Sequence, residues 1–190
     1  DADAEPLYRL ALAYDPAHVW AANDLGYQLL ERGVKPEDAE RLILIAALAS
    51  PDSHNIIDSL GWLRYHQGRF ETPAGTDPDD LANLGAVALL QRAVAILDAL
   101  PDRTDDGLIA DHLGDALYRA GNPDDARDAW LAARNQANDR LRALSLQQQT
   151  DTPAYRRASE LSRNAALKIR ALETNQLPAT PDPVFAPAAP

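Results

Sequence analysis

Asp111, His112 and Asp115 are the residues whose types and spacing come nearest to chemistry, since two carboxylates and an imidazole within five positions could ligate a metal or pass a proton. On a helix, Asp111 and Asp115 stand one turn apart on one face, while His112 points about 100° away from them. No third ligand converges with the two acids, and no spacing suits a closed zinc site. His18, His54 and His66 read as cap or surface residues. The chain has no cysteine, so disulfides and thiolate metal sites are excluded. A glycine-rich phosphate loop, a nucleophile elbow and a dinucleotide fingerprint are all missing from the sequence. The expectation is therefore no metal, no cofactor and no enzymatic activity. An enzyme or metal-binding protein built on Asp111, His112 and Asp115 is the weaker alternative.

Charge narrows the partners. With 18 cationic residues against 29 acidic ones the formal net charge is −11, so nucleic acid and anionic membrane surfaces would be repelled, and a basic or neutral protein fits better. Lys35 and Lys168 are the only lysines, a bias that reads as genome composition before chemistry. No apolar run approaches the roughly 20 residues that span a bilayer, so membrane insertion is not expected. The chain opens without methionine, and its first residues read as the second half of a repeat. A processed product or a piece of a larger protein is the natural reading, and a lost leader or anchor stays compatible with it.

The elements that carry these residues repeat. A five-residue phrase occurs at Asn23–Tyr27 (N-D-L-G-Y), Asp58–Trp62 (D-S-L-G-W) and Asp111–Asp115 (D-H-L-G-D). The first two copies lie about 35 residues apart with two helical segments per period, the pattern of a helical solenoid. Apolar spacing predicts helices from Ala4, over 17–32, from Pro36 to Pro51, over 54–67, over 107–120, from Asn122 as far as Leu146, and over 153–174. Between the second and third phrases the period breaks. Residues 71–77 read as a loop, and Asp77-Pro78-Asp79-Asp80 as the cap of a long helix reaching Ala99 that would project beyond its neighbours. From Pro178 to Pro190 the proline content predicts an extended tail.

These residues resemble tetratricopeptide repeats, whose pattern joins a Leu-Gly pair in the first helix, a glycine at the turn, and an alanine, a large residue and another alanine in the second helix. Leu25-Gly26, Ala39, Ile43, Ala46 and Pro51 match it with one extra residue in the turn. Leu113-Gly114, Gly121, Ala126, Trp130 and Ala133 match without the closing proline. The middle unit has Leu60-Gly61 and Gly68, with Leu81/Ala88 and Ala86/Ala93 as competing alignments for its second helix. Ala4, Tyr8, Ala11 and Pro16 match the second helix of an earlier repeat. The resemblance implies an all-α fold, a right-handed α-solenoid of antiparallel helix pairs. A repeat array would fill residues 1–150, a capping helix 151–176 and a proline-rich tail 177–190. D-S-L-G-W followed by D-H-L-G-D-A-L-Y is similar to bacterial repeat proteins of the cell envelope, which implies a periplasmic setting, with the cytoplasm as alternative.

In that architecture first helices line a concave face. Spacing selects Trp20, Asn23, Tyr27, Leu30 and Glu31, then Asn55, Asp58, Trp62, Tyr65 and His66, then Leu108, Asp111, Asp115, Tyr118 and Arg119. The expectation is a non-enzymatic scaffold with one aromatic and acidic groove for a peptide or protein segment bearing apolar and basic residues. The competing role for each residue is structural: aromatics packing between repeats, and Asn23, Asp58 and Asp111 bonding across helices. The slots contain no lysine, which disfavours the lysine–asparagine clamp that some tetratricopeptide domains close on an acidic C-terminus. The tail from Val184, V-F-A-P-A-A-P, could fill the groove of a neighbouring copy. A subunit held permanently in a larger complex is the second functional reading.

Overall fold

The computed structural model describes residues 4–101 and 106–185. Among them are eight helices and no strand: α1 (Glu5–Tyr14), α2 (Val19–Glu31), α3 (Pro36–Ala49), α4 (His54–His66), α5 (Ala86–Asp98), α6 (Leu108–Arg119), α7 (Pro123–Leu146) and α8 (Pro153–Glu173). The starts follow local chemistry. Pro36, Pro123 and Pro153 stand in first turns, where a missing N–H costs nothing, and Glu37, Asp38, Asp124 and Asp125 face the positive ends of their helices. The stops at α2, α4 and α6 share one device. Gly33, Gly68 and Gly121 have φ of 63°, 70° and 84°, and each donates its N–H three residues back while the next residue closes the wider turn.

The chain divides into two compact units, Asp1–Ile96 together with Asp182–Pro190, and Leu97–Pro181. In the first, α2 packs between α1 and α3, α3 packs on α4, and the first helices α2 and α4 also meet. In the second, α7 packs on both α6 and α8, and α6 meets α8. α8 thus stands to α6 as α4 stands to α2, in the place of a further first helix.

One contact rule runs through the helix pairs. A β-carbon added at Gly26 would come 2.7 Å from Ile43 Cγ1, at Gly61 2.7 Å from Leu90 Cγ, and at Gly114 into the Trp130 indole. Each first helix therefore approaches its partner through a glycine, against the large residue set between two fully buried alanines: Ala39 and Ala46, Ala86 and Ala93, Ala126 and Ala133. The middle repeat takes the Ala86/Ala93 register.

The long helix expected from residue 78 to 99 does not form; α5 starts at Ala86. The backbone before it is engaged elsewhere. Gly85 donates to Thr72 Oγ1 at 2.9 Å, Ala86 to the Arg69 carbonyl at 2.9 Å and Val87 to the Phe70 carbonyl at 3.1 Å. A side chain at residue 85 would collide with the backbone of Glu71. Buried Arg64 holds the segment from the other side, donating to the Ala82 carbonyl at 2.8 Å while pairing with Glu40 at 2.7 Å. Leu81 and Leu84 are buried too. The inserted segment is packed down rather than projecting.

Candidate functional site

Position within the repeat groups the selected residues. Relative to Gly26, Gly61 and Gly114, the sets are Asn23, Asp58 and Asp111; Tyr27, Trp62 and Asp115; Leu30, Tyr65 and Tyr118; and Glu31, His66 and Arg119. Each set occupies one geometric place on a first helix.

In the first unit Trp20 is 53% exposed on α2, Tyr27 is half-buried, and Asn23 and Asp58 are buried. Burial, followed by the charges of Glu31 and Asp58, pushes the Tyr27 hydroxyl well above its ordinary range and keeps it neutral. On α4 the aromatics pack on one another: Trp62 stacks on Tyr65 with centroids 4.5 Å apart, His66 stands edge-on to both, and Phe70 meets Tyr65 at 5.5 Å. Trp62 Nε1 donates to Glu31 Oε1 at 3.1 Å, tying α4 to α2. Trp62, Tyr65 and His66 are all at least nine-tenths buried. The aromatic set is thus largely packed, and Trp20 is its most open member.

A segment of the same chain, bent at Val184 and Phe185, lies at the end of this cluster. Phe185 donates its N–H to the His66 carbonyl at 2.7 Å, and Val184 donates to His66 Nδ1 at 3.4 Å. Val184 also sits beside Gly33, whose added β-carbon would stand 3.9 Å from Val184 Cβ. Val184–Phe185 therefore rests on its own chain, and residues 186–190 of the expected tail lie outside the described residues.

In the second unit the acids meet an internal cation. Lys168 Nζ of α8 lies 2.9 Å from Asp111 Oδ2 and 2.7 Å from Asp115 Oδ1, and all three residues are buried. Asp115 also accepts from Trp130 Nε1 at 3.0 Å, and the ammonium stands 5.6 Å above the Trp130 ring. Burial pushes the Asp115 carboxyl up to about 6, opposed by Lys168 and reinforced by Asp111. For Lys168 burial works against the charge, but Asp115 and Asp111 outweigh it and raise its pKa above the ordinary lysine value. The two directions agree physically: one ammonium fully compensates one carboxylate, so the second keeps a proton more readily. The cation expected from a partner is supplied by the chain itself, and composition alone gave no sign that Lys168 would do this.

Tyr118 and Arg119 remain half-buried at the end of α6. Arg119 reaches the tail, donating from Nη2 to the Pro181 carbonyl at 2.9 Å and the Thr180 carbonyl at 3.4 Å. Among the described residues no group of three or more His, Asp or Glu side chains is placed to hold a metal ion, and no helix is long and apolar enough to cross a membrane. A cleft of about 310 Å³ between α1, α2 and α3, lined by Leu12, Leu25, Leu42 and Ile45, contains none of the selected residues.

Over 68 residues, 36% of this chain, the sequence is 40% identical to a TPR repeat-containing protein of Pseudomonas aeruginosa. That match spans 12% of the relative's length. No protein-family model and no solved structure matches the chain. The all-helical fold in adjacent pairs and this similarity are consistent with a tetratricopeptide-like protein.

Proposed function

We propose that this chain, with its tetratricopeptide-type helix pairs, is a non-enzymatic scaffold whose first-unit face, formed by α2 and α4, holds an extended segment of another protein. A relative named for tetratricopeptide repeats supports protein–protein interaction in general. The observation that carries the narrower reading is the seat of residues 184–185: a short stretch of backbone, bent at Val184 and Phe185, already lies against His66 and Gly33 at the end of the aromatic cluster. Trp20 is the open anchor of that face, an aromatic with large contact area and few rotatable bonds. Asn23, Tyr27, Asp58 and Trp62 shape the surface behind it, with Tyr65 as its packed floor. In the second unit Asp111 and Asp115 serve the fold through Lys168, Tyr118 packs on Trp130, and Arg119 holds the tail backbone at Thr180 and Pro181.

Placing a photo-crosslinking amino acid at Trp20 and, separately, at exposed Leu48 on α3 tests the site. A captured protein should crosslink from position 20 and not from 48. The reverse pattern would move binding to the second helices. Trp20→Ala should weaken capture by about tenfold, the effect of losing one interface anchor of roughly 1–2 kcal/mol, with helicity unchanged.

A further inference from the structure

We propose that residues 182–185 are an internal ligand of the first unit, competing in cis with the partner segment, and that the partner segment shares their chemistry: a proline, an aliphatic residue and an aromatic residue in succession. This rests on the reading that the α2/α4 face binds such a segment.

The seat is built from helix ends. The turn at Gly68 uses the carbonyls of Leu63, Arg64 and Tyr65, and the next carbonyl, that of His66, takes the Phe185 N–H. Terminal carbonyls of a helix have no intrahelical donor, so an incoming backbone N–H is a suitable partner for them. Gly33, in the left-handed turn that ends α2, supplies the other wall, with Val184 at van der Waals distance from where its β-carbon would stand. Pro181 and Pro183 restrict the backbone just upstream, which lowers the ordering cost of laying Val184 and Phe185 down. His66 and Arg119 hold the same place in their repeats, and both bond to tail backbone within their own units. Two backbone bonds and one half-buried phenyl ring make a weak ligand, but tethering gives it a millimolar effective concentration. If the free segment bound with a dissociation constant of about 0.1 mM, an effective concentration of about 1 mM would weaken a competing partner about tenfold. The tail is strong enough to occupy the seat and weak enough to be displaced.

The test uses the full chain and its Phe185→Pro variant, which loses both the N–H donated to His66 and the phenyl ring. The probe is a fluorescein-labelled peptide D-P-V-F-A-P-A-A-P, followed by fluorescence anisotropy, with circular dichroism to confirm equal helicity. The variant should bind the peptide about tenfold more tightly than the unaltered chain, and a peptide with alanine in place of phenylalanine should bind neither. Equal affinity for both chains, binding to neither, or tight binding that ignores the phenylalanine would each overturn the proposal. A partner that still crosslinks at position 20 in that case leaves the scaffold reading intact and removes only the internal ligand. Tighter peptide binding by the variant with partner crosslinks only at position 48 does the opposite.

Discussion

At Gly114 a β-carbon would enter the Trp130 indole, whose Nε1 is bonded to Asp115, so even alanine forces the ring and its buried acid to move together. Gly114→Ala should cost about 1–3 kcal/mol by overpacking, read as a lower midpoint in denaturant. Gly26→Ala should cost a similar amount, because it meets Ile43 Cγ1, stiff at χ1 in a helix, and backbone atoms of Ala39 and Ile43 at 3.2 Å. Asp115 itself gives a pH signature. The folded chain holds its proton to about pH 6, whereas the unfolded chain releases it near the ordinary 3.8, so folding binds protons between those values. The stability this group contributes is present below about pH 4 and is lost as pH rises through 6. Asp115→Asn should remove that slope while keeping an acceptor for Trp130, and comparing both chains at pH 5 and 7.5 isolates it from the other carboxylates. Asp115→Ala, by contrast, strips partners from both Lys168 and Trp130 and cannot serve as a stability-neutral binding variant. The glycine crossings were legible because Gly26, Gly61 and Gly114 recur at one place in a repeat. Lys168 was not: it follows Ala165 by one turn on the stripe of Ala158, Leu161, Ala165 and Ile169, and a lone cation there was the available clue to a buried acid partner.

The helices themselves could be read from apolar spacing and caps, and seven of the eight run close to their expected bounds. The failure at residues 78–85 has a specific cause. Asp77-Pro78-Asp79-Asp80 has the composition of a helix start, but local propensity yields to Arg64, Thr72 and the Arg69 and Phe70 carbonyls, all of which lie outside the window that propensity considers. Gly85 was the sequence mark of that close backbone approach. Gly85→Ala should destabilise the first unit by about 1–3 kcal/mol, since the atoms it meets are backbone and cannot rotate away. Deleting residues 73–77 should leave helicity unchanged and shift the midpoint little, because four of those five positions are exposed and Thr72, the acceptor for Gly85, is kept. Loss of cooperative unfolding after that deletion would show that the tip helps to fasten the segment.

For the molecule as a whole, repetition reveals the scaffold and leaves the partner unnamed. A catalytic site imposes residue types at fixed spacing, whereas a helical-repeat surface selects its ligand by a few side chains whose exposure depends on what else packs there. Trp62 and Tyr65 looked like open contacts from spacing and are nearly covered by their own cluster, while Trp20, with the same spacing credentials, stands open. Charge is the global property that sequence does state. A chain of net charge −11 attracts a basic partner over a distance set by the Debye length, about 10 Å at 0.1 M salt, and this acts on encounter more than on the docked contact. Raising salt from 50 to 300 mM should therefore slow association with the captured partner several-fold while changing its dissociation rate little, both measurable by surface plasmon resonance. Trp20→Ala should do the converse, speeding dissociation with the salt response intact. If salt instead accelerates dissociation, ion pairs lie inside the docked interface, and Glu31, an exposed carboxylate on α2, becomes the next residue to replace.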